Sequence, residues 1–326
     1  MIEGTSAFLE TSVGLIAAAL LIEAAFGYPN ALYRFIRHPV VWIGALVDTL
    51  DRWLNRPKWP TAVRRAAGAV AVLLTLCFGS GVAWAVSRAL PDSIPGRLVE
   101  AALASTFLAQ RSLADHVRAV AVPLEEVRLE DARAELGKIV GRDVRALDES
   151  AVARAAIESL AENYSDGVIA PAFWGALFGL PGLALYKAAN TLDSMIGHRT
   201  LRHEAFGWAA ARLDDAMNLA PARLTALLLS IASWVRASRA LATAVRDAHK
   251  HRSPNAGWPE AAMAGALDIR LSGPRTYRGA TSHEPWVNEA GKNACAHDIR
   301  RALLLYYRSA LLFIGLLVLA AVGLAS

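Results

Sequence analysis

Residues 66–86, AAGAVAVLLTLCFGSGVAWAV, carry no charged side chain. A helix rises about 1.5 Å per residue, so about twenty apolar residues cross the hydrocarbon core of a bilayer. A run of this length is a transmembrane helix or the fully buried helix of a large core, and four further apolar segments favour the membrane. Residues 302–325 form one, with Arg308 near its start able to extend its charge to the interface. Residues 5–27 form another and carry Glu23. Residues 167–186 are interrupted by Pro171 and by GLPG at 179–182, and residues 219–237 form a shorter segment between Arg223 and Arg236. Hydrophobic residues make up 55% of the chain and charged ones 19%, against about a quarter charged in soluble proteins. The expected fold is therefore all-α: a polytopic helical integral membrane protein with about five transmembrane segments and polar helical loops, forming one domain over residues 1–326.

The charge pattern excludes a nucleic-acid binder. Lys and Arg number 34 against 29 Asp and Glu, with no basic stripe and no interleaved aromatics. Cys77 sits in an apolar run and Cys295 in a polar one, which argues against a disulfide. The acidic N-terminus, MIEGTSAFLETS, lacks the basic start and small-residue cleavage site of a signal peptide, so the first apolar segment is expected to stay as an anchor. Residues 28–65 hold seven Arg and Lys against Asp48 and Asp51, which places that loop in the cytoplasm by the positive-inside rule. The segment about 111–166 reads as amphipathic polar helices, with Asp148 or Ser150 as an N-cap. Residues about 238–301 read as a basic loop region punctuated by Gly and Pro, without strand alternation. GLPG frees backbone groups inside an apolar run, so residues 167–186 are either a kinked crossing or a re-entrant hairpin.

Three polar clusters abut these apolar runs. In ESLAENYSDG (158–167), Glu158, Glu162 and Asp166 are four apart and stack on one face if the helix continues. In NTLDSMIGH (190–198), Asn190 and Asp193 are i, i+3 neighbours. In ARLDDAMNLAPAR (211–223), Asp214, Asp215 and Asn218 share a face. Interfacial ion pairs could account for any one cluster, because acids and bases nearly balance between 162 and 223. Three clusters within about sixty residues point instead to a functional site, since carboxylates at membrane depth are costly. Hard oxygen ligands suit magnesium, which commonly bridges one or two carboxylates to substrate phosphates.

The order of these motifs is specific. ESLAENYSDGVIAPAFWGALFG, LYKAANTLDSMIGHRT, FGWAAARLDDAMNLAPARLTA, then SPNAGWPEAAMAGAL with LSGPRTYRG, together with the early HPVVWIGALVDTLD, resembles the CobD/CbiB family of cobalamin biosynthesis over about residues 10–325. The resemblance implies a multi-pass plasma (inner) membrane enzyme, an adenosylcobinamide-phosphate synthase with its active site on the cytoplasmic side. Such an enzyme joins the free propionate carboxyl of adenosylcobyric acid to aminopropanol or its phosphate, using ATP. One departure is visible: many members carry Asp in the first span followed by GDP, where this chain has Glu23 and GYP at 27–29.

That chemistry activates a carboxylate by phosphorylation, which depends on positioning and charge neutralisation, and it needs a base for the attacking ammonium. On this reading Asp166, Asp193, Asp214 and Asp215 are the catalytic acids and meet magnesium and nucleotide phosphates, with Asp193, Asp214 and Asp215 as the metal ligands. Asn163, Asn190, Asn218 and Asn255, with Glu162 and Ser253, would contact substrates, and Arg212 and Arg223 would meet phosphate. The expected partners are the corrinoid substrate, the amine and the lipid bilayer. No nucleic acid is expected, and a homo-oligomer is compatible with the sequence. No phosphate-cradling G-x-x-x-x-G-K-[ST] motif is present to show how ATP is held. Two alternatives remain open: an intramembrane magnesium-dependent transferase of the prenyltransferase kind, whose usual D-x-x-x-D is absent, and an AmpE-like membrane sensor.

Overall fold

The structure is a computed structural model that describes residues 7–28, 38–141, 143–198, 200–277, 280–282 and 284–326. The chain is a helical membrane protein. Thirteen helices of eight or more residues occur in order among the described residues. They are α1 (Ser12–Phe26), α2 (Pro39–Leu54), α3 (Thr61–Ala89), α4 (Ile94–Ser105), α5 (Gln110–Glu125), α6 (Leu129–Leu136) and α7 (Glu149–Tyr164). There follow α8 (Ala170–Leu192), α9 (Trp208–Met217), α10 (Leu219–Ala232), α11 (Ala237–Asp247), α12 (Gly257–Leu267) and α13 (Ala296–Ala325). Among the described residues three continuous helical runs are long and apolar enough to cross a membrane: Thr61–Ala89, Glu149–Gly197 and Ala296–Ala325. The other two apolar segments form α1 and α10, of 15 and 14 residues, too short to span the hydrocarbon core alone.

Burial supports lipid as the solvent for the long helices. Leu73 and Trp84 on α3 are each 61% exposed, and Leu311 and Leu319 on α13 are 69% and 71% exposed. Apolar side chains in such density on an outer surface would be a liability in water and are ordinary in hydrocarbon.

Contacts divide the chain into two compact units. The first contains residues 1–109, 170–218 and 316–326, and the second residues 110–169 and 219–315. In the first, α8 packs on α1 and α3, and α1 packs on α4. In the second, α12 packs against α10, α11 and α7, while α5 packs against α7.

The GLPG break resolves as a hairpin. Gly179 adopts φ 66° and ψ −156°, a region essentially reserved for glycine. Pro181 falls in the first turn after it, where a missing N–H costs nothing. A Cβ on Gly182 would lie 2.4 Å from the Trp174 carbonyl oxygen, and one on Gly175 would lie 3.2 Å from the Leu183 Cβ. Eight residues along a straight helix are about 12 Å apart, so the limbs 170–178 and 180–192 lie against each other with glycine at the crossing. Ala170 accordingly shares a cluster with Tyr186, Ala189 and Met217. The apolar half of Glu149–Gly197 therefore enters and returns at the same end.

Side chains cap two helix starts, only the one at Asp148 being expected from the sequence. Asp148 accepts the Ala151 amide at 2.8 Å as the N-cap of α7. His38 Nδ1 accepts the Val40 amide at 3.2 Å, with Pro39 opening α2. The region 238–301 is more structured than its composition implies: it holds α11, α12 and two antiparallel strand pairs, Leu271–Ser272 with Trp286–Val287 and Arg275–Tyr277 with Ala280–Ser282. Strands of two or three residues are too short to produce an alternation in sequence. Both cysteines are free.

Candidate functional site

Two of the sequence clusters fall where the helical backbone widens by one residue. Asp166 lies in a π turn, Ser165–Ile169, and Asp193 opens another, Asp193–Gly197. Such single-turn π segments are costly and concentrate at functional positions. The first one also breaks the stack of Glu158, Glu162 and Asp166. Glu158 is buried and accepts the Ser272 amide at 2.7 Å, whereas Glu162 and Asn163 are exposed and Asn163 Nδ2 donates to the Ser159 carbonyl of its own helix at 2.8 Å.

In the first unit, α9 and the returning limb of the hairpin carry the acidic cluster. Trp174 Nε1 donates to the Met217 carbonyl at 3.0 Å, and Tyr186 Oη donates to Asn218 Oδ1 at 2.9 Å, both locking α9 to the hairpin. Asn218, 1% exposed, uses its Nδ2 to donate to Asp214 Oδ2 at 3.0 Å. Asn190 stands close enough to act on the Asp214 carboxyl, and the charges of Asp193 and Asp215 act on it as well. Burial, then the neighbouring Asp193 carboxylate, push the Asp214 pKa up to about 6. The Asp214 Oδ1 atom is buried and has no hydrogen-bond partner among the described residues. Arg212 Nη1 lies 3.8 Å from Asp215 Oδ2, so this arginine is turned toward its own helix neighbour.

Sequence reasoning missed what holds this cluster in place. A Cβ on Gly197 would lie 1.9 Å from Asp193 Oδ1, so the absence of a side chain four residues on makes room for the carboxylate. Asp51 on α2 receives both Arg202 Nε (2.9 Å) and Nη2 (2.6 Å) on Oδ2, and Asn55 on Oδ1 at 2.8 Å, with His203 Nε2 3.3 Å from Oδ1. This clamp fixes the segment that follows the Asp193 turn. Burial acts to raise the Asp51 pKa, but the hydrogen bonds from Asn55, Arg202 and His203 outweigh it and hold the carboxyl below its ordinary value. The 151-residue separation between Asp51 and Arg202 left no local signal.

The second unit holds the remaining predicted residues. Arg223 lies on α10, which packs on the Ser165–Ile169 turn that contains Asp166. Its guanidinium stacks 4.7 Å from the Trp258 ring centroid, and Nη1 donates to the Leu219 carbonyl and to Asn255 Oδ1 at 2.8 and 3.2 Å. Among the described residues its Nε and Nη2 donors meet no partner. Ser253 Oγ accepts the Asn255 and Ala256 amides, each at 3.2 Å. That hydroxyl is thus committed to shaping the turn before α12.

Magnesium fits the acidic cluster in one form only. Among the described residues no group of three or more His, Cys, Asp or Glu converges to hold a metal ion, so an all-protein cage is absent there. The unpartnered Asp214 Oδ1 beside Asp193 suits an ion that arrives with phosphates and takes one or two carboxylates.

A polytopic helical membrane protein that sets aspartates and asparagines against apolar helices is the class these features define. Within that class the chain belongs to the CobD/CbiB family: the sequence model described as CobD/Cbib protein matches residues 16–306. It is 53% identical over 295 residues to a cobalamin biosynthesis protein CobD of Rhodobacter capsulatus, covering 90% of this chain and 93% of the relative. A protein of the same name from Sinorhizobium sp is 48% identical over 313 residues, covering 94% and 97%. Another from Brucella suis is 44% identical over 321 residues, covering 96% and 98%. No solved structure matches the chain.

Proposed function

We propose that the protein is a cobalamin-biosynthesis enzyme of the inner membrane, an adenosylcobinamide-phosphate synthase that makes an amide at the expense of ATP. The propionate carboxylate of adenosylcobyric acid attacks the γ-phosphorus of ATP, forming an acyl phosphate and releasing ADP. The amine of aminopropanol, or of its phosphate, then attacks the acyl carbon, the C–N bond forms, and inorganic phosphate leaves. Magnesium, when bound, would neutralise charge on the phosphates, taking one or two of the Asp193, Asp214 and Asp215 carboxylates as its protein ligands.

The observation that carries the reading is the Asp214 carboxylate. Asn218 holds it, Asn190 stands beside it, one oxygen has no hydrogen-bond partner among the described residues, and burial raises its pKa to about 6. A carboxylate of raised pKa is still ionised at neutral pH, so it can take the magnesium that arrives with the phosphates. Asn190 and Asn218 orient it. In the second unit, the free Nε and Nη2 donors of Arg223 suit a phosphate oxygen pair, and the Trp258 ring fixes their plane. Access to ATP requires these groups to open to the cytoplasm.

The test is an amide-forming assay on purified protein in detergent, with adenosylcobyric acid, ATP, magnesium and either amine, followed by mass spectrometry. ATP-dependent appearance of cobinamide or its phosphate is the expected result. A folded protein that forms neither amide, or that instead consumes a prenyl diphosphate, overturns the proposal.

A further inference from the structure

The second unit contains a cleft that none of the chemistry above uses. Its volume is about 270 Å³, and Arg236, Lys292 and Arg301 line it together with Asp268, Asp298 and Cys295. Arg236 follows the C-terminal end of α10 while Arg223 lies near its start. The nine residues of helical rise from Arg223 to the helix end at Ala232 already span about 14 Å, and the two sets of lining residues do not overlap, so the cleft is distinct from the Arg223 and Trp258 pair.

Charge is unbalanced there. Arg239 pairs with Asp268, and Arg301 Nη1 donates to Asp298 Oδ1 at 2.6 Å. Those two pairs use both carboxylates. Arg236 donates Nη1 to the Ala266 carbonyl at 3.2 Å, and neither it nor Lys292 forms an ion pair among the described residues. Both nevertheless stand close enough to Asp268 to help hold its pKa down, after the larger effect of the Arg239 hydrogen bond. Two cations with no counter-ion therefore border one cavity, and a guanidinium left with free donors in such a place is an anion receptor.

The backbone on that side is fixed. Asp268 closes α12 in the left-handed region, φ 62° and ψ 42°, an uncommon conformation for a residue other than glycine. Its carbonyl accepts the Lys292 amide at 3.1 Å, and the Lys292 carbonyl accepts the Arg270 amide at 2.8 Å. Two backbone hydrogen bonds thus fix the main chain of Lys292 at the cleft, from which its side chain extends. Asp298 accepts both the Cys295 amide (3.1 Å) and the Cys295 thiol (3.3 Å) on Oδ2, which ties down the opposite wall and places the thiol at the cleft.

The geometry points to a binding site for a phosphate-monoester dianion, whose two charges match the two surplus cations, with Arg236 and Lys292 as its principal contacts. The same headgroup chemistry is offered by a soluble phosphate ester and by phosphatidic acid in the bilayer.

The experiment uses the full-length protein and reads the alkylation rate of Cys295 by N-ethylmaleimide, mapped by peptide mass spectrometry, with Cys77 as the internal control. Inorganic phosphate is titrated in detergent, and phosphatidic acid is compared with phosphatidylcholine in nanodiscs. Protection of Cys295 by phosphate assigns a soluble ligand, and protection by phosphatidic acid alone assigns a lipid. In either case Lys292→Gln should weaken protection about tenfold, the loss expected for one charge-assisted contact. Arg236→Gln should do the same, but it also removes the bond to Ala266. Lys292→Gln, on an exposed side chain with no hydrogen bond or ion pair among the described residues, keeps the test independent of folding. The assignment fails if neither probe protects the thiol, if protection survives Lys292→Gln, or if acetate protects as well as phosphate.

Discussion

Replacing Gly197 by alanine adds one methyl group to the turn that presents Asp193. That Cβ would stand 1.9 Å from Asp193 Oδ1 and 2.8 Å from Cγ. Ordinary contact begins near 3.4 Å, so the carboxylate must retreat by about 1.5 Å. Displacing a positioned group by about 1 Å costs about 10²-fold in rate, or roughly 2.7 kcal/mol of transition-state stabilisation. Stability should not fall in parallel, because alanine is favoured over glycine within a helix by up to about 1 kcal/mol. The assay is turnover in the amide-forming reaction across a magnesium titration, with thermal melts alongside. The expected result is a loss of about a hundredfold in kcat, a rise in the magnesium needed for half-maximal rate, and a melting temperature at or above that of the parent. Turnover within twofold of the parent, with an unchanged magnesium requirement, would refute the reasoning that the Asp193 carboxylate must occupy this position.

Asp214, with its pKa raised to about 6, should lose metal affinity and activity as pH falls through 6, since the proton competes with the cation; a pH–rate profile flat from 5 to 8 would contradict this. The same shift has a stability sign: the folded state binds the proton more tightly than the unfolded one. Ionisation therefore destabilises progressively between the ordinary carboxylate pKa and 6, by roughly 2–3 kcal/mol in total. Asp214→Asn should thus melt higher than the parent at pH 8 in the presence of chelator, match it near pH 4, and be inactive. Asp51 is the opposite case: its lowered pKa contributes stability that is present above the ordinary carboxylate value and lost as pH falls through the folded one. Asp51→Ala should cost about 2–3 kcal/mol, read as a lower melting temperature, because it strands the partly buried Arg202 and His203 groups. Gly182→Leu would drive a side chain into the Trp174 carbonyl, 2.4 Å from its Cβ, and should open the hairpin; efficient 174–183 cysteine cross-linking in that variant would count against it.

Composition and the uncharged runs determined that the chain is helical and membrane-embedded, because the need to satisfy every backbone hydrogen bond within lipid leaves a helix as the solution for such segments. The Asp148 cap was legible for the same local reason: it bonds an amide three residues away. Spacing alone set Asn190 beside Asp193 and Asp214 beside Asn218, since i, i+3 and i+4 neighbours meet on any helix. Tertiary structure decided the rest. Whether GLPG kinks a crossing or turns the chain back depended on Gly175 and Gly182 finding each other's limb, a contact that no periodicity encodes. The clamp from Asp51 to Arg202 and His203, the bond from Tyr186 to Asn218, and the unbalanced charges at Arg236 and Lys292 join residues distant in sequence. They follow from packing, which is a property of the whole chain, and only there does a carboxylate such as Asp214 acquire the burial and neighbours that set its chemistry.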